Sequence, residues 1–387
     1  MDNITICDIT AFDYWRTPPA IQWLFAGDEA DPALLKTFGE NTVLEAREAM
    51  AAFPLCQTML RPNPSTRNLG AAAKILKTAV PLLATNHYGP IDIAANRRAE
   101  YHSSSIIRSR FSAGDLPFGS AIPISDYVSI TSPAFTLLQL AGRSNLARTI
   151  MLATELCGSF AIYQMPDPIK RVLQTFAHQR TFPKIGGWEP FIDESGKLTN
   201  LWARPPLTTP QELLRMASEA APKRGCENLR LAANLVVPRA ASPFEARTGM
   251  LLGLSRRRGG EGHSGFSFNK SISLSRSAQA LARRGHCICD LYWEEGVDVE
   301  CQSALVHDKA SSFLSDSDRT TALKHMGIDV LPITYGQIQS ETRFAAFSAT
   351  LAAIRGTRHR PKTQRQIAAT QALRAEVFRD WSTIHLV

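Results

Sequence analysis

The sequence predicts an α/β protein of two or three domains, and three observations carry that expectation. Of the 387 residues, 44% are hydrophobic and 20% charged, enough apolar material for real cores at roughly 100–200 residues per domain. The hydrophobic pattern changes from helical to strand-like spacing near residue 81. Near residue 286 two alternating apolar runs are followed by a helix and a further strand. The expected layout is a helical segment over 1–80, a mixed α/β module over 81–235, a second α/β domain with a mixed sheet flanked by helices over 236–345, and a basic tail with a last helix over 346–387. The same composition excludes a wholly disordered chain.

The elements follow from local chemistry. Ala11, Tyr14 and Trp15 form an apolar stripe that Pro18-Pro19 stops. A second helix is expected from Asp31 to Ala52. Val80 to Ala84 and Ser105 to Phe111 read as strands, the latter alternating Arg108 and Arg110 with Ile107, Ser109 and Phe111. YVSITSPAFTLLQLA reads as strand, cap and helix, with Ser132 as N-cap and Pro133 at the first helical position. ARTIMLATELCG is a helix ending at Gly158, and residues 180–210, rich in Pro, Gly and Trp, read as a connecting loop. TTPQELLRMASEAA opens with a Thr cap followed by Pro210 and Glu212, and KRGCENLRLAANLV is a further helix.

No run of about 18 apolar residues lacks a charge or proline, so a membrane-spanning helix is not expected. MDNITICDIT has no basic stretch leading into an apolar one, so no secretory signal is expected. Seven scattered cysteines fit a reducing, cytoplasmic setting better than a disulfide framework. The net charge is +8, and residues 236–387 supply +6 of it, with 20 basic and 14 acidic residues. That imbalance favours a polyanionic partner, although a solvated basic surface accounts for it equally.

The residues that carry chemistry lie in the third segment. Ser242-Pro243-Phe244-Glu245 opens a helix; Ser followed three residues later by Glu is a capping box, so Glu245 has a purely structural reading beside any catalytic one. HCICDLYW and VDVECQSALVH, separated by Glu294-Glu295-Gly296, form a β-hairpin that carries Asp290 on its first strand and Glu300 on its second. Alternation puts Glu300 and Gln302 on one face and turns Cys301 away. Two carboxylates on adjacent strands, with the Cys301 carbonyl between them, suit a hard cation such as Mg2+, whose bound water can attack a phosphate. The alternative is an exposed hairpin with charges on its solvent side. His307 follows, then a helix with Asp316, Asp318 and Arg319, a stop at Gly327 and a strand through Val330 and Ile333, in which Pro332 demands an edge position.

The order Glu245, Asp290, Glu300-Cys301-Gln302, His307, Asp318-Arg319, Gly327 and final strand resembles the restriction-endonuclease-like PD-(D/E)xK fold. Within it, the small very-short-patch-repair-like endonuclease domains are the nearest likeness, over roughly residues 240–340. The resemblance implies a Mg2+-dependent DNA endonuclease that hydrolyses phosphodiester bonds. Asp290 and Glu300 are then the metal ligands, Glu245 assists the metal or its water, and Gln302 and His307 orient water or phosphate. Arg256, Arg257, Arg258, Lys309 and Arg319 are the residues expected to meet nucleic acid. Gln302 stands where the family has lysine, and an amide cannot stabilise an anion as an ammonium does; Lys309 or His307 is placed to take that part. The strand at 105–111, the LPFGS turn and the strand-to-helix unit after it resemble the domain that follows the winged helix in abortive-infection-type antitoxins. That likeness implies a bacterial, cytoplasmic protein with a protein partner in a toxin–antitoxin or phage-defence setting, and it leaves an inactive, DNA-binding regulator as the alternative to a nuclease.

Other conspicuous residues have plainer readings. His286, Cys287 and Cys289 lack a second Cys/His pair at zinc-finger spacing, and the two cysteines read as buried small hydrophobes. The Arg256-Arg257-Arg258 run also suits a solvated helix end. The tail GTRHRPKTQRQ is either a nucleic-acid-binding arm or a basic linker to the last helix. No glycine-rich stretch has the form of a phosphate loop.

Overall fold

A computed structural model describes residues 4–19, 90–95, 107–111, 116–123, 128–165, 186–193, 195–302, 310–358 and 360–385, with Lys170, Leu173, Gln174 and Ala177. The helix expected at Asp31–Ala52, the strand at Val80–Ala84, His307 and Lys309 lie outside the described residues. The chain forms two compact units. One comprises Met1–Thr149, Ala161–Asn234 and His385–Val387; the other Ile150–Phe160 and Leu235–Ile384. Among the described residues no helix is long and apolar enough to cross a membrane.

The first unit runs β1 (Ile4–Ile6), α1 (Asp8–Arg16), β2 (Ile91–Ala95), β3 (Ile107–Phe111), β4 (Ala121–Pro123), β5 (Val128–Thr131), α2 (Pro133–Ala141) and α3 (Leu146–Leu156). After them come β6 (Phe160–Ile162), β7 (Glu189–Ile192), β8 (Leu198–Ala203), α4 (Pro210–Glu219) and α5 (Cys226–Ala233). Of these, Ile150–Leu156 of α3 and Phe160 of β6 belong to the other unit. A five-stranded sheet has the order β3-β2-β1-β5-β4, with β1 antiparallel to β2 and parallel to β5. Ile6, Phe12, Ile91, Ile130, Phe135 and Leu137 are its buried core. Ser132 caps α2 by accepting from the Phe135 amide, and Thr209 and Glu212 close a reciprocal capping box on α4. Arg108 and Arg110, two positions apart on β3, both reach the buried Asp92 of β2, at 2.6 and 2.7 Å.

Two expectations are corrected here. The first residues do not belong to a purely helical segment: Ile4–Ile6 is a strand, too short to display a period of its own and held by neighbours distant in sequence. Nor is 180–210 all loop, because β7 and β8 pair antiparallel within it. Pro190 is accommodated since β7 is an edge strand, in the order β6-β8-β7, and its register shifts between Pro190 and Ile192.

The second unit continues with α6 (Pro243–Gly253), a short 3-10 turn at Arg256–Arg258, β9 (Ser267–Ser273), α7 (Arg276–Ala282), β10 (His286–Trp293), β11 (Val297–Gln302), α8 (Ala310–His325) and β12 (Asp329–Thr334). It ends with α9 (Tyr335–Gln339), α10 (Glu341–Ile354) and α11 (Gln364–Val377). Its mixed sheet has the order β12-β11-β10-β9. β9, β10 and β11 are antiparallel neighbours, whereas β12 returns parallel to β11 after the α8 crossover. Pro332 therefore lies on an edge strand.

The sheet is covered on both faces. Cys287, Cys289 and Tyr292 pack with Ala278 and Ala282 of α7 and with Ala322 and Leu323 of α8. On the other face α6 approaches so closely that a Cβ on Gly249 would come within 2.4 Å of the Phe268 ring; Phe266 and Trp293 meet there at a tilt, with ring centres 5.2 Å apart.

Candidate metal centre

The site grows out of an interruption in β10. Cys289 and Tyr292 face the same layer although three positions apart, and in a regular strand an odd separation puts side chains on opposite faces. The switch occurs at Asp290. Paired positions with β9 step from Cys289↔Lys270 to Leu291↔Phe268, pairing with β11 begins only at Leu291↔Val299, and Asn269, opposite Asp290, has φ of 50°. Asp290 thus points away from Cys289, toward the α6 side, and its Oδ2 accepts the Cys301 amide of the neighbouring strand at 2.8 Å. It is the N–H of Cys301, not its carbonyl, that engages the acid.

On that side stands Glu245, in the first turn of α6 and only 7% exposed. Ser242 Oγ accepts the Glu245 amide at 3.1 Å and donates to the carboxylate at 2.9 Å. Glu245 Oε2 also accepts from the Ala241 amide at 2.8 Å and from Asn269 Nδ2 at 2.6 Å. The same Asn269 nitrogen is 2.9 Å from the Arg239 carbonyl. Glu245 therefore secures its helix start and also ties that start to β9, at the position facing Asp290.

Glu300 lies on the opposite face. Asp298 pairs with Tyr292 across the hairpin, and Glu300, two positions on, shares its side, where α8 supplies Arg319. That guanidinium grips both Glu300 oxygens, at 2.9 Å through Nη1, and reaches the Ile288 carbonyl through Nη2. Beside the pair lie Asp298, fully buried, and Cys289; one ligand atom from each of Cys289, Asp298 and Glu300 lies within 4.8 Å of the others. No nitrogen or oxygen donor among the described residues bonds either Asp298 oxygen.

Charge links the two faces. Burial pushes the Asp290 carboxyl well above the usual carboxylate range, and the charges of Glu300 and Glu245 push it further. Burial likewise raises Glu245, with a smaller contribution from Glu300. Burial, followed by a shared proton and repulsion with Glu300, pushes Asp298 up to about 10. Burial also raises the Cys289 thiol, with Asp298 next.

The expected acids thus lie around one end of the hairpin, with Glu245 and Asp290 on one face and Glu300 on the other. Gln302 is exposed at the end of β11. Arg257 and Arg258 are exposed in the 3-10 turn, while Arg256 is spent on the carbonyls of Glu261 and Arg360. Three participants escape the sequence-based expectation. Asp298, two positions before Glu300, has the same-face spacing that could have exposed it. Cys289 reads from the sequence only as a small hydrophobe, and Asn269 gives no signal there. Among the described residues the one group of ligand atoms close enough to hold an ion is that of Cys289, Asp298 and Glu300, which includes a thiol, a softer ligand than Mg2+ prefers; Glu245 and Asp290 stand outside it. Set against protein-family models, curated proteins and solved structures, the chain matches none of them.

Proposed function

We propose that the unit containing Leu235–Ile384 is a Mg2+-dependent DNA endonuclease of the PD-(D/E)xK kind. The observation that carries this reading is the burial of Asp290 at a break in its strand, bonded to the Cys301 amide, where burial first, and the charges of Glu300 and Glu245 after it, raise its carboxyl. Like charges gathered away from bulk water cost free energy, and a divalent cation with oxygen ligands relieves that cost. The element order α6, β9, α7, β10, β11, α8, β12, with β12 parallel to β11, supports it.

Asp290 and Glu300 would have to turn toward each other from opposite faces of the hairpin to share the cation, which when bound neutralises charge on the scissile phosphate and acidifies a water. Asp290 is oriented by the Cys301 amide, and Glu245 by its three donors. Glu300 has to release at least one oxygen from Arg319, and the guanidinium so freed is a bidentate partner for a phosphate. Gln302, at the solvent edge, orients water by hydrogen bonds. The test is supercoiled plasmid with purified protein and Mg2+. Nicking by the intact protein, abolished by chelation and by Asp290→Ala, is expected; equal nicking by both proteins, or by neither, overturns it.

A second reading is a non-catalytic, antitoxin-like DNA-binding regulator built on the same fold. Two observations favour it: Gln302 in place of lysine, and Arg319 already occupying both oxygens of Glu300. Salt-dependent DNA binding without cleavage, indifferent to Asp290→Ala, is its signature.

A further inference from the structure

The 3-10 turn after α6 and the segment before α11 are about a hundred positions apart in sequence, yet they meet in the folded unit. Arg256 donates to the Arg360 carbonyl. Gly259, with φ of 92°, lies so close to α11 that a Cβ there would be 2.3 Å from the Ala369 carbonyl oxygen. The junction brings together Arg257 and Arg258 from one segment and Arg358, Arg360 and Arg365 from the other. All five are exposed, and none has an acidic partner among the described residues. The surroundings are equally one-sided. No acid occurs from Ala246 to Gly260 or from Gly356 to Ala375; Glu261, directly after the first stretch, is buried against Lys362 at 2.6 Å, and Glu295 bonds Arg355.

We propose that these five arginines form one docking surface for the phosphate backbone of double-stranded DNA. Guanidinium groups without counter-charges gain by releasing the counterions condensed on a polyanion. Large hydrophobic side chains exposed in these segments are Ile354 and Ile367, with no aromatic among them. The surface therefore lacks the stacking platform that single-stranded nucleic acid needs, and duplex phosphates are the better match. The same helix sets the spacing to the proposed metal centre: Glu245 lies in the first turn of α6 and the arginines begin just beyond its last. From Glu245 to Gly253 the axis rises about 12 Å, or three to four phosphates along one strand at about 3.4 Å each. The surface anchors a duplex at a fixed offset from the carboxylates, and it does so whether or not they cleave.

The test is fluorescence anisotropy of a random-sequence duplex with the full-length protein, in chelator so that nothing is cut, over a series of salt concentrations. The triple variant Arg257→Gln, Arg258→Gln, Arg365→Gln should bind more weakly, with the slope of log affinity against log salt shallower by about 2.7, at about 0.9 for each phosphate no longer neutralised. Because the measurement is made in chelator, its outcome does not depend on whether the carboxylates cleave, which separates this surface from the fate of the nuclease reading. An unaltered slope in a triple variant that melts like the parent overturns the proposal. So does tighter binding of single-stranded DNA than of duplex, or no duplex binding by the intact protein at low salt.

Discussion

Asp298 shows what a single buried carboxyl does to its surroundings. Buried and beside Glu300, the group stays neutral when folded and holds its proton up to about pH 10, whereas in the unfolded chain it ionises near the ordinary value of about 3.9. A folded-state pKa raised in this way leaves stability intact below about pH 4 and erodes it as pH climbs from there toward 10. Asp298→Asn, uncharged and of the same shape, should therefore gain on the parent at pH 8 relative to pH 4. The gain should be at least about 1.4 kcal/mol, the value of one pKa unit, or roughly 2–4 °C in melting temperature. Parallel melting curves at the two pH values would refute the neutral carboxyl. That Asp290 and Glu300 sit on adjacent strands and Glu245 in the first turn of a helix was legible in the sequence, and so was the capping role of Glu245. The face each acid occupies was not, because strand alternation fails at Asp290, and the irregularity responsible sits on Asn269 of another strand.

At the scale of elements, the starts of helices were the most legible features. Ser132, Thr209 and Ser242 announce α2, α4 and α6 through hydrogen bonds that close within three residues. The hairpin of β10 and β11 was legible for the same reason, its two runs being separated by a short polar turn. β7 was hidden by Pro190, whose missing N–H is harmless only at an edge that the sequence cannot display. Packing between elements is less forgiving than the elements themselves. Gly259 needs both a left-handed backbone and the room its missing side chain leaves beside α11. Gly259→Ala should cost about 2 kcal/mol or more and lower the melting temperature by roughly 4–8 °C. An unchanged melting curve would mean that α11 does not press on the 3-10 turn as described.

For the molecule as a whole, composition and periodicity gave the mixed α/β class, but strand order stayed out of reach because pairing partners are set by residues far apart in the chain. The clearest instance is β1, which sits at the centre of its five-stranded sheet. Deleting residues 1–7 should separate β2 from β5 and leave Ile91 and Ile130 uncovered. The expected outcome is loss of soluble expression or of a large part of the far-ultraviolet circular dichroism, and a truncated chain that melts like the parent would contradict the sheet order. The same placement bears on biosynthesis. Ile4 is translated 124 codons before its parallel neighbour Val128 (128 − 4), so the sheet cannot close around its own centre until that stretch has emerged. Until then β1 has β2 alone to pair with, and its other edge is open to any chaperone that binds unpaired strands.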